Sequence, residues 1–278
     1  MKFLVSADME GATGVTWSDD CEPGTEAWQR CRGMFTSDVN AAVEGLFDGG
    51  AHEVLVNEAH ATMRNLLLER LDPRAEMITG RHKSLTMVEG VQTGDVDGVV
   101  FLGYHAAAGE EGVLAHTYLP NSITRVWFDD QIGSEGALNA AVVAEFGTPV
   151  VLLTGDDKAC ADARRWAPDH AQTVAVKDHV SRYAARCRPP ERTAADIRAG
   201  AQRAAASAGR IQPQEPSPHT VEIEVDAAQL ADFAALVPTV SRTAPRRVAY
   251  TAESAVQAIR TFKAVTTLIS SGVEGRYG

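Results

Sequence analysis

The sequence predicts an α/β fold: a mostly parallel, twisted sheet with helices on both faces, joined to a smaller C-terminal α+β subdomain. Three observations predict it. Short apolar runs such as Phe3-Leu4-Val5 recur, the pattern of strands buried on both faces. Segments of helical character separate them, so strands and helices alternate. Near Arg188-Pro189-Pro190 the texture changes to an Ala/Arg-rich helix, a proline-rich loop and shorter strands. We therefore expect a larger α/β domain over residues 1–188 and an α+β subdomain over residues 189–278.

The elements follow in order. Residues 2–7 read as the first strand, and 28–47 as a helix stopped by Gly49-Gly50. A strand is expected over 52–57, a helix over 62–70 and a strand over 98–104. Residues 126–132 read as a hairpin around Asp129-Asp130, 134–146 as a helix and 149–154 as a continuous apolar strand. A helix over 157–166 and a short strand over 173–176 close the first domain. Beyond it come a helix over 191–208, a loop over 211–218 with three prolines, and an alternating strand over 219–225. Strands over 237–240 and 247–250 and a helix over 253–268 complete the chain.

The chain has 278 residues, enough for a substantial core. Hydrophobic residues make up 45% and charged residues 23%, the profile of a soluble globular protein. A formal net charge of -11 argues against nucleic acid and anionic membranes as partners. No apolar run reaches the roughly 18 residues a membrane span needs. The N-terminus enters a strand at once, so no signal peptide is expected. Cys21, Cys31, Cys160 and Cys187 lack CxxC spacing and fit reduced thiols of a cytoplasmic protein.

Five candidate site residues fall at predicted strand ends. Asp8 and Glu10 follow the first strand, and residues two apart on extended backbone point to one side. His60 follows Val54-Leu55-Val56-Asn57, His105 follows the strand ending at Tyr104, and Glu135 opens a helix after the hairpin. In a parallel sheet these ends share one edge, where ligands bind. Three carboxylates and two imidazoles suit two borderline divalent cations, with a shared Asp as the usual bridge. Each residue also has an ordinary reading: an acidic turn, a hydrogen-bonded surface histidine, or, for Glu135, a charge set against the helix dipole. It is their joint placement that points to a metal. His116, in the loop after Gly112, is a further candidate, as general base, general acid or nucleophile. His52, His82, His170, His179 and His219 lack such a context and read as surface or structural.

The chain resembles the dipeptide-transport-operon D-aminopeptidases, peptidase family M55. The matching stretches are Ser6-Ala7-Asp8-Met9-Glu10-Gly11, Glu53-Val54-Leu55-Val56-Asn57-Glu58-Ala59-His60 and Ser84-Leu85-Thr86-Met87-Val88-Glu89-Gly90. They continue with Phe101-Leu102-Gly103-Tyr104-His105-Ala106, Gly112-Val113-Leu114-Ala115-His116, Gly133-Ser134-Glu135-Gly136-Ala137-Leu138-Asn139-Ala140 and Thr154-Gly155-Asp156-Asp157. The likeness runs through roughly the first 180 residues and is weaker beyond them. It implies a zinc aminopeptidase with two Zn2+ per subunit, held by Asp8, Glu10, His60, His105 and Glu135 with Asp8 bridging. It implies His116 as the catalytic histidine, proposed in the family as nucleophile. It further implies short peptides with N-terminal D-amino acids such as D-Ala as substrates, and a ring-stacked homodecamer enclosing a channel. Glu58-Ala59 departs from a more polar Asp-Ser-like pair, and the loops 18–26 and 119–121 are individual to this chain, which bears on substrate preference. A metal-dependent amidase or dehydropeptidase on the same site, and a non-catalytic metal-binding assembly protein, are the competing readings.

Overall fold

The computed structural model describes residues 1–274. The strands are β1 (Lys2–Ala7), β2 (Glu53–Glu58), β3 (Ala75–Ile78), β4 (Gly98–Tyr104), β5 (Ile123–Phe128), β6 (Gln131–Ile132), β7 (Val150–Asp156), β8 (Gln172–Ser181), β9 (Ala184–Cys187), β10 (His219–Val225), β11 (Ser241–Ala244) and β12 (Arg247–Ala252). The helices are α1 (Glu26–Asp48), α2 (Glu135–Glu145), α3 (Asp157–Ala163), α4 (Pro190–Ser207), α5 (Ala228–Ala234) and α6 (Ala255–Ser271). One sheet runs β3-β2-β1-β4-β7-β8-β9 and is parallel except for the β8–β9 pair. A second, antiparallel sheet runs β11-β12-β10-β5-β6. The α/β class with a mostly parallel main sheet is the one the sequence predicts.

Burial on both faces explains the apolar strands. Phe3 and Val5 of β1 pack with Phe35, Val39 and Leu46 of α1 and Ile197 and Ala201 of α4. Leu4 faces the opposite way, into a core shared with Phe101 of β4, Leu138 and Val142 of α2, and the second sheet. Successive side chains of a strand point to opposite faces, so β1 is apolar throughout because both faces are covered. The sheet order reverses direction between β1 and β4, the kind of switch point where α/β sheets open a crevice.

Several local expectations are corrected. The segment 62–70 is not a helix: only Leu68–Arg70 forms a 3-10 turn. Ala61 and Met63 adopt left-handed φ of 45° and 56°, incompatible with helix. Glu58 Oε1 instead accepts from the backbone N–H of Asn65 and Leu66, and Arg32 Nε donates to Asn65 O at 2.7 Å. Residues 237–240 form a turn, with β11 beginning at Ser241. Strands β3 and β9 and helix α5 were not expected; each is short and carries little periodicity. The hairpin expected at 126–132 begins at Ile123 and pairs with β10 in the second sheet. Glu135 therefore reaches the crevice from the second sheet, not from the parallel edge shared by Asp8, His60 and His105. Helix α4, just past residue 188, lies against α1 on the first sheet.

At the switch point the backbones of β1 and β4 nearly touch. A Cβ on Gly103 would lie 2.0 Å from Asp8 O, and one on Gly11 would lie 2.0 Å from Tyr104 O. Gly103 also has φ of +71°. Asp8 N donates to Leu102 O at 2.8 Å and Gly11 N to Gly103 O at 2.7 Å, so the turn after β1 is laid directly on β4. Gly103→Ala is expected to cost about 3 kcal/mol or more in urea unfolding. Gly209→Ala, where an added Cβ meets nothing within 4 Å, should change stability by less than about 0.5 kcal/mol.

Candidate metal centre

The six candidate side chains come together at the crevice, all buried. Asp8 and Glu10 leave the end of β1, His60 follows β2, His105 follows β4, and Glu135 is the first residue of α2. His116 enters from the loop after β4. Asp8 stands between two groups. Its Oδ1 lies 3.5 Å from His60 Nδ1, which is also 2.8 Å from Glu10 Oε2. Its Oδ2 lies 3.4 Å from His105 Nε2, which is also 3.5 Å from Glu135 Oε1. His116 Nε2 is 3.6 Å from Glu10 Oε1 and 3.7 Å from Glu135 Oε1, and its ring stacks on His105 with centroids 4.0 Å apart.

The outer nitrogen of each ring fixes the tautomer. His60 Nε2 lies 3.2 Å from Cys21 O, His105 Nδ1 lies 3.0 Å from Ala106 O, and His116 Nδ1 lies 2.8 Å from Leu114 O. A carbonyl only accepts, so each of these nitrogens carries a hydrogen. In the neutral ring the inner nitrogen then offers a lone pair. Three inner nitrogens and three carboxylates thus converge as electron-pair donors. Asp8 Oδ2, Glu10 Oε2 and His105 Nε2 are buried without a hydrogen-bond partner, which buried polar atoms rarely are. Within this cluster, donor atoms of Asp8, His105 and Glu135 lie within 4.8 Å of one another, as do those of Glu10, His105 and His116 and those of Glu10, Cys21 and His60. Such a donor set fits a borderline divalent cation, and outer N–H groups tied to carbonyls are the usual support of ligating imidazoles.

The electrostatics agree. Burial and the neighbouring Glu10 charge push the Asp8 carboxyl up. Burial acts the same way on Glu10, but the His60 ring beside it outweighs burial and holds Glu10 well below the usual range. Glu135 is lowered against burial by His105. Burial opposes charge on His60 and His105, yet Glu10 and Glu135 respectively, with Asp8, draw both rings well above their ordinary value. The pocket thus attracts positive charge, as protons or as metal. His116 differs: burial and the His105 charge lower it, leaving a neutral imidazole near pH 7.

The elements around the cluster hold it rigid. Lys177 of β8 is fully buried, and its Nζ donates to Glu10 O at 2.6 Å, Ala12 O at 2.9 Å and Val15 O at 2.6 Å. Three hydrogens meet three carbonyls, so the ammonium form is the one that satisfies the contact. Asp38 of α1 grips the same loop, accepting from Thr13 N at 2.8 Å and Thr13 Oγ1 at 2.9 Å. Ser134 caps α2, accepting from Ala137 N at 3.1 Å and donating to Asp162 Oδ2 at 2.5 Å. Tyr118 N donates to Glu135 Oε1 at 2.7 Å. Leu114 and Tyr118, on either side of His116, take left-handed φ of 54° and 60°, a strain common at functional sites. Sequence reasoning missed Lys177; a lysine closing the apolar run Val174-Ala175-Val176 was the available signal. It also missed Cys21 as a neighbour of Glu10 and His60.

A buried set of carboxylates and imidazoles at the crevice of an α/β sheet is the chemistry used by metal-dependent hydrolases. The chain belongs to peptidase family M55: the family model, described as D-aminopeptidase, matches residues 1–264. A D-aminopeptidase of Bacillus subtilis (strain 168) is 32% identical over 270 residues, covering 96% of this chain and 97% of that protein. The solved structure of the Zn-dependent D-aminopeptidase DppA from Bacillus subtilis, a self-compartmentalizing protease, matches with a TM-score of 0.89 at 31% identity, over 97% of this chain and 98% of that one. The protein is a peptidase.

Lys177→Met should leave the buried carbonyls of Glu10 and Val15 unpaired and lower unfolding stability by about 3–5 kcal/mol, read by chemical denaturation. For Asp38, burial pushes the carboxyl up to about 6. The folded state then binds a proton that the unfolded chain has released between about pH 4 and 6, so stability falls as pH rises through that window. Asp38→Asn keeps both Thr13 contacts, with Thr13 Oγ1 turning its hydrogen to Thr193 Oγ1 at 2.8 Å. The variant should match wild type near pH 4 and exceed it by about 3 kcal/mol at pH 7, roughly two pKa units at 1.4 kcal/mol each. An unchanged difference across that range would count against the assignment.

Proposed function

We propose that the chain is a zinc-dependent aminopeptidase that removes the N-terminal residue, with a D-Ala-like preference, from short peptides at a two-metal site. Asp8, Glu10, His60, His105 and Glu135 would hold the metals, and His116 is the catalytic histidine. One observation carries this reading: buried carboxylates and inward-facing imidazole nitrogens converge, with Asp8 Oδ2, Glu10 Oε2 and His105 Nε2 left without a hydrogen-bond partner. Membership in a family described as D-aminopeptidase and the Zn-dependent neighbour support the substrate and the metal. The reading extends to a ring-stacked homodecamer, in keeping with the self-compartmentalizing neighbour, and to a cytoplasmic setting for the free thiols of Cys21, Cys31, Cys160 and Cys187. No helix among the described residues is long and apolar enough to cross a membrane.

Zinc, when bound, supplies Lewis acidity that polarises the scissile carbonyl and makes water more acidic. The rest follows from the chain's own groups. The cluster lines the cleft, so a peptide lies with its amino end there and the scissile bond one residue beyond it. His116 Nε2 takes a proton from the attacking water while its Nδ1–H stays on Leu114 O. The same nitrogen then returns the proton to the departing amine. We favour this acid–base role over attack by His116, because water is available as nucleophile and the ring is held neutral.

Metal analysis of purified protein should give about two zinc ions per subunit, and chelation should abolish hydrolysis. Asp8→Ala is expected to lose both metal and activity by more than about 100-fold. His116→Ala should keep the metal yet lower kcat by about 100- to 10,000-fold on D-alanyl dipeptides. Hydrolysis of L-aminoacyl peptides only would refute the D-preference. Full activity after complete zinc removal would refute the metallopeptidase reading.

A further inference from the structure

The cleft above the cluster is lined by charges of both signs. It encloses about 560 Å³, within the roughly 300–1,000 Å³ typical of small-molecule sites. Its lining carries Asp8, Glu10 and Glu135 of the cluster and Glu22, and also the cations Arg81, Arg182 and Lys263. Most other cations of this acidic chain face carboxylates, as Lys2, Arg198 and Arg247 do. Among the described residues, Arg81 and Lys263 have no carboxylate within 4.0 Å. Arg182 is engaged over the Tyr183 ring, 5.7 Å from its centroid. Arg81 Nη1 donates to Ala61 O at 3.4 Å, which holds the guanidinium beside the residue that follows His60.

Lys263 belongs to a designed-looking face of α6 only in the sense of helical spacing: Lys263, Thr266, Thr267 and Ser270 all line the cleft. Residues three, four and seven apart share one side of a helix. The other side, with Phe262, Val265 and Ile269, is buried in the core. Burial lowers the Lys263 ammonium, and the neighbouring Arg81 charge lowers it further. Lys263 is half-buried and Arg81 exposed, and both line this cleft without a carboxylate partner, so an anion in the cleft finds two free cations. An aminopeptidase substrate of two or three residues carries such an anion at its far end. Its length is set by a rise of about 3.3–3.6 Å per residue.

We propose that Arg81 and Lys263 bind the C-terminal carboxylate of a short peptide whose amino end lies at the candidate metal centre. This rests on the aminopeptidase reading. It makes the cleft select short peptides with a free C-terminus over C-terminally blocked ones. Arg81 and Lys263 are specificity residues here, remote from the scissile bond.

The test uses a D-alanyl dipeptide and a non-cleavable reduced-amide analogue of it, each as free acid and as C-terminal carboxamide. For wild type, the free acid should be favoured about 10-fold or more, both in kcat/KM and in calorimetric affinity. Lys263→Met, which keeps the aliphatic stem, should erase most of that preference by raising KM for the acid while leaving the carboxamide within about twofold. Lys263→Arg should restore it. Equal treatment of acid and carboxamide by wild type, or an equal loss for both in Lys263→Met, would overturn the proposal. Acid-selective binding of the analogue without hydrolysis of the dipeptide would support the carboxylate site while refuting the aminopeptidase reading.

Discussion

A single buried ammonium group underlies the arrangement of this protein. Lys177 of β8 meets the turn after β1, and its three hydrogens take up the carbonyls of Glu10, Ala12 and Val15. Those carbonyls have no strand or helix partner, and burying them unpaired would cost free energy comparable to lost hydrogen bonds. With them satisfied, the chain can leave the sheet at Asp8, fold over on itself and still present Glu10 inward. Asp38 holds Thr13 from α1, so the loop is fixed by two separate elements, α1 and β8. The close backbone crossing at Gly11 and Gly103 sets how near this loop comes to His105.

Rigidity matters because the cluster is electrostatically unfavourable by itself. Asp8, Glu10 and Glu135 face one another at short range in a water-poor pocket, where like charges repel strongly. The surrounding hydrogen bonds do not neutralise them; they aim them. Backbone donors from Met9 and Tyr118 each take one carboxylate oxygen and leave others directed inward. Folding thus stores repulsion that a bound cation relieves, which is how a site gains affinity without large rearrangement. The stacked His105 and His116 rings divide the work: one is drawn toward positive charge, the other kept neutral.

Much of this was legible in the sequence, for a physical reason. Strands buried on both faces must be apolar, so β1, β4 and β7 stand out, and polar residues at their ends stand out with them. That is how Asp8, Glu10, His60 and His105 could be grouped. Glu135 was grouped correctly on an incorrect premise, since its hairpin belongs to the second sheet. The segment after β2 misled because Leu66-Leu67-Leu68 has helical composition, while side chains of Glu58 and Arg32 bind its backbone in place of helical bonds. Long-range contacts leave no periodic trace. Lys177 and Arg81 are separated from their partners by many residues, and only the folded topology joins them.

The tie between His60 and the carbonyl of Cys21 reaches further than its 3.2 Å. His105 and His116 anchor their outer nitrogens on residues one or two positions away, so those rings are set by their own local chain. His60 is set by a distant loop, 18–26, which also borders the cleft. Drift in that loop is therefore never neutral for the imidazole. A lineage that remodels this rim to accept a new side chain alters the tilt and basicity of His60 in the same step. The shape of the cleft rim and the setting of the His60 ring are thus coupled through one carbonyl.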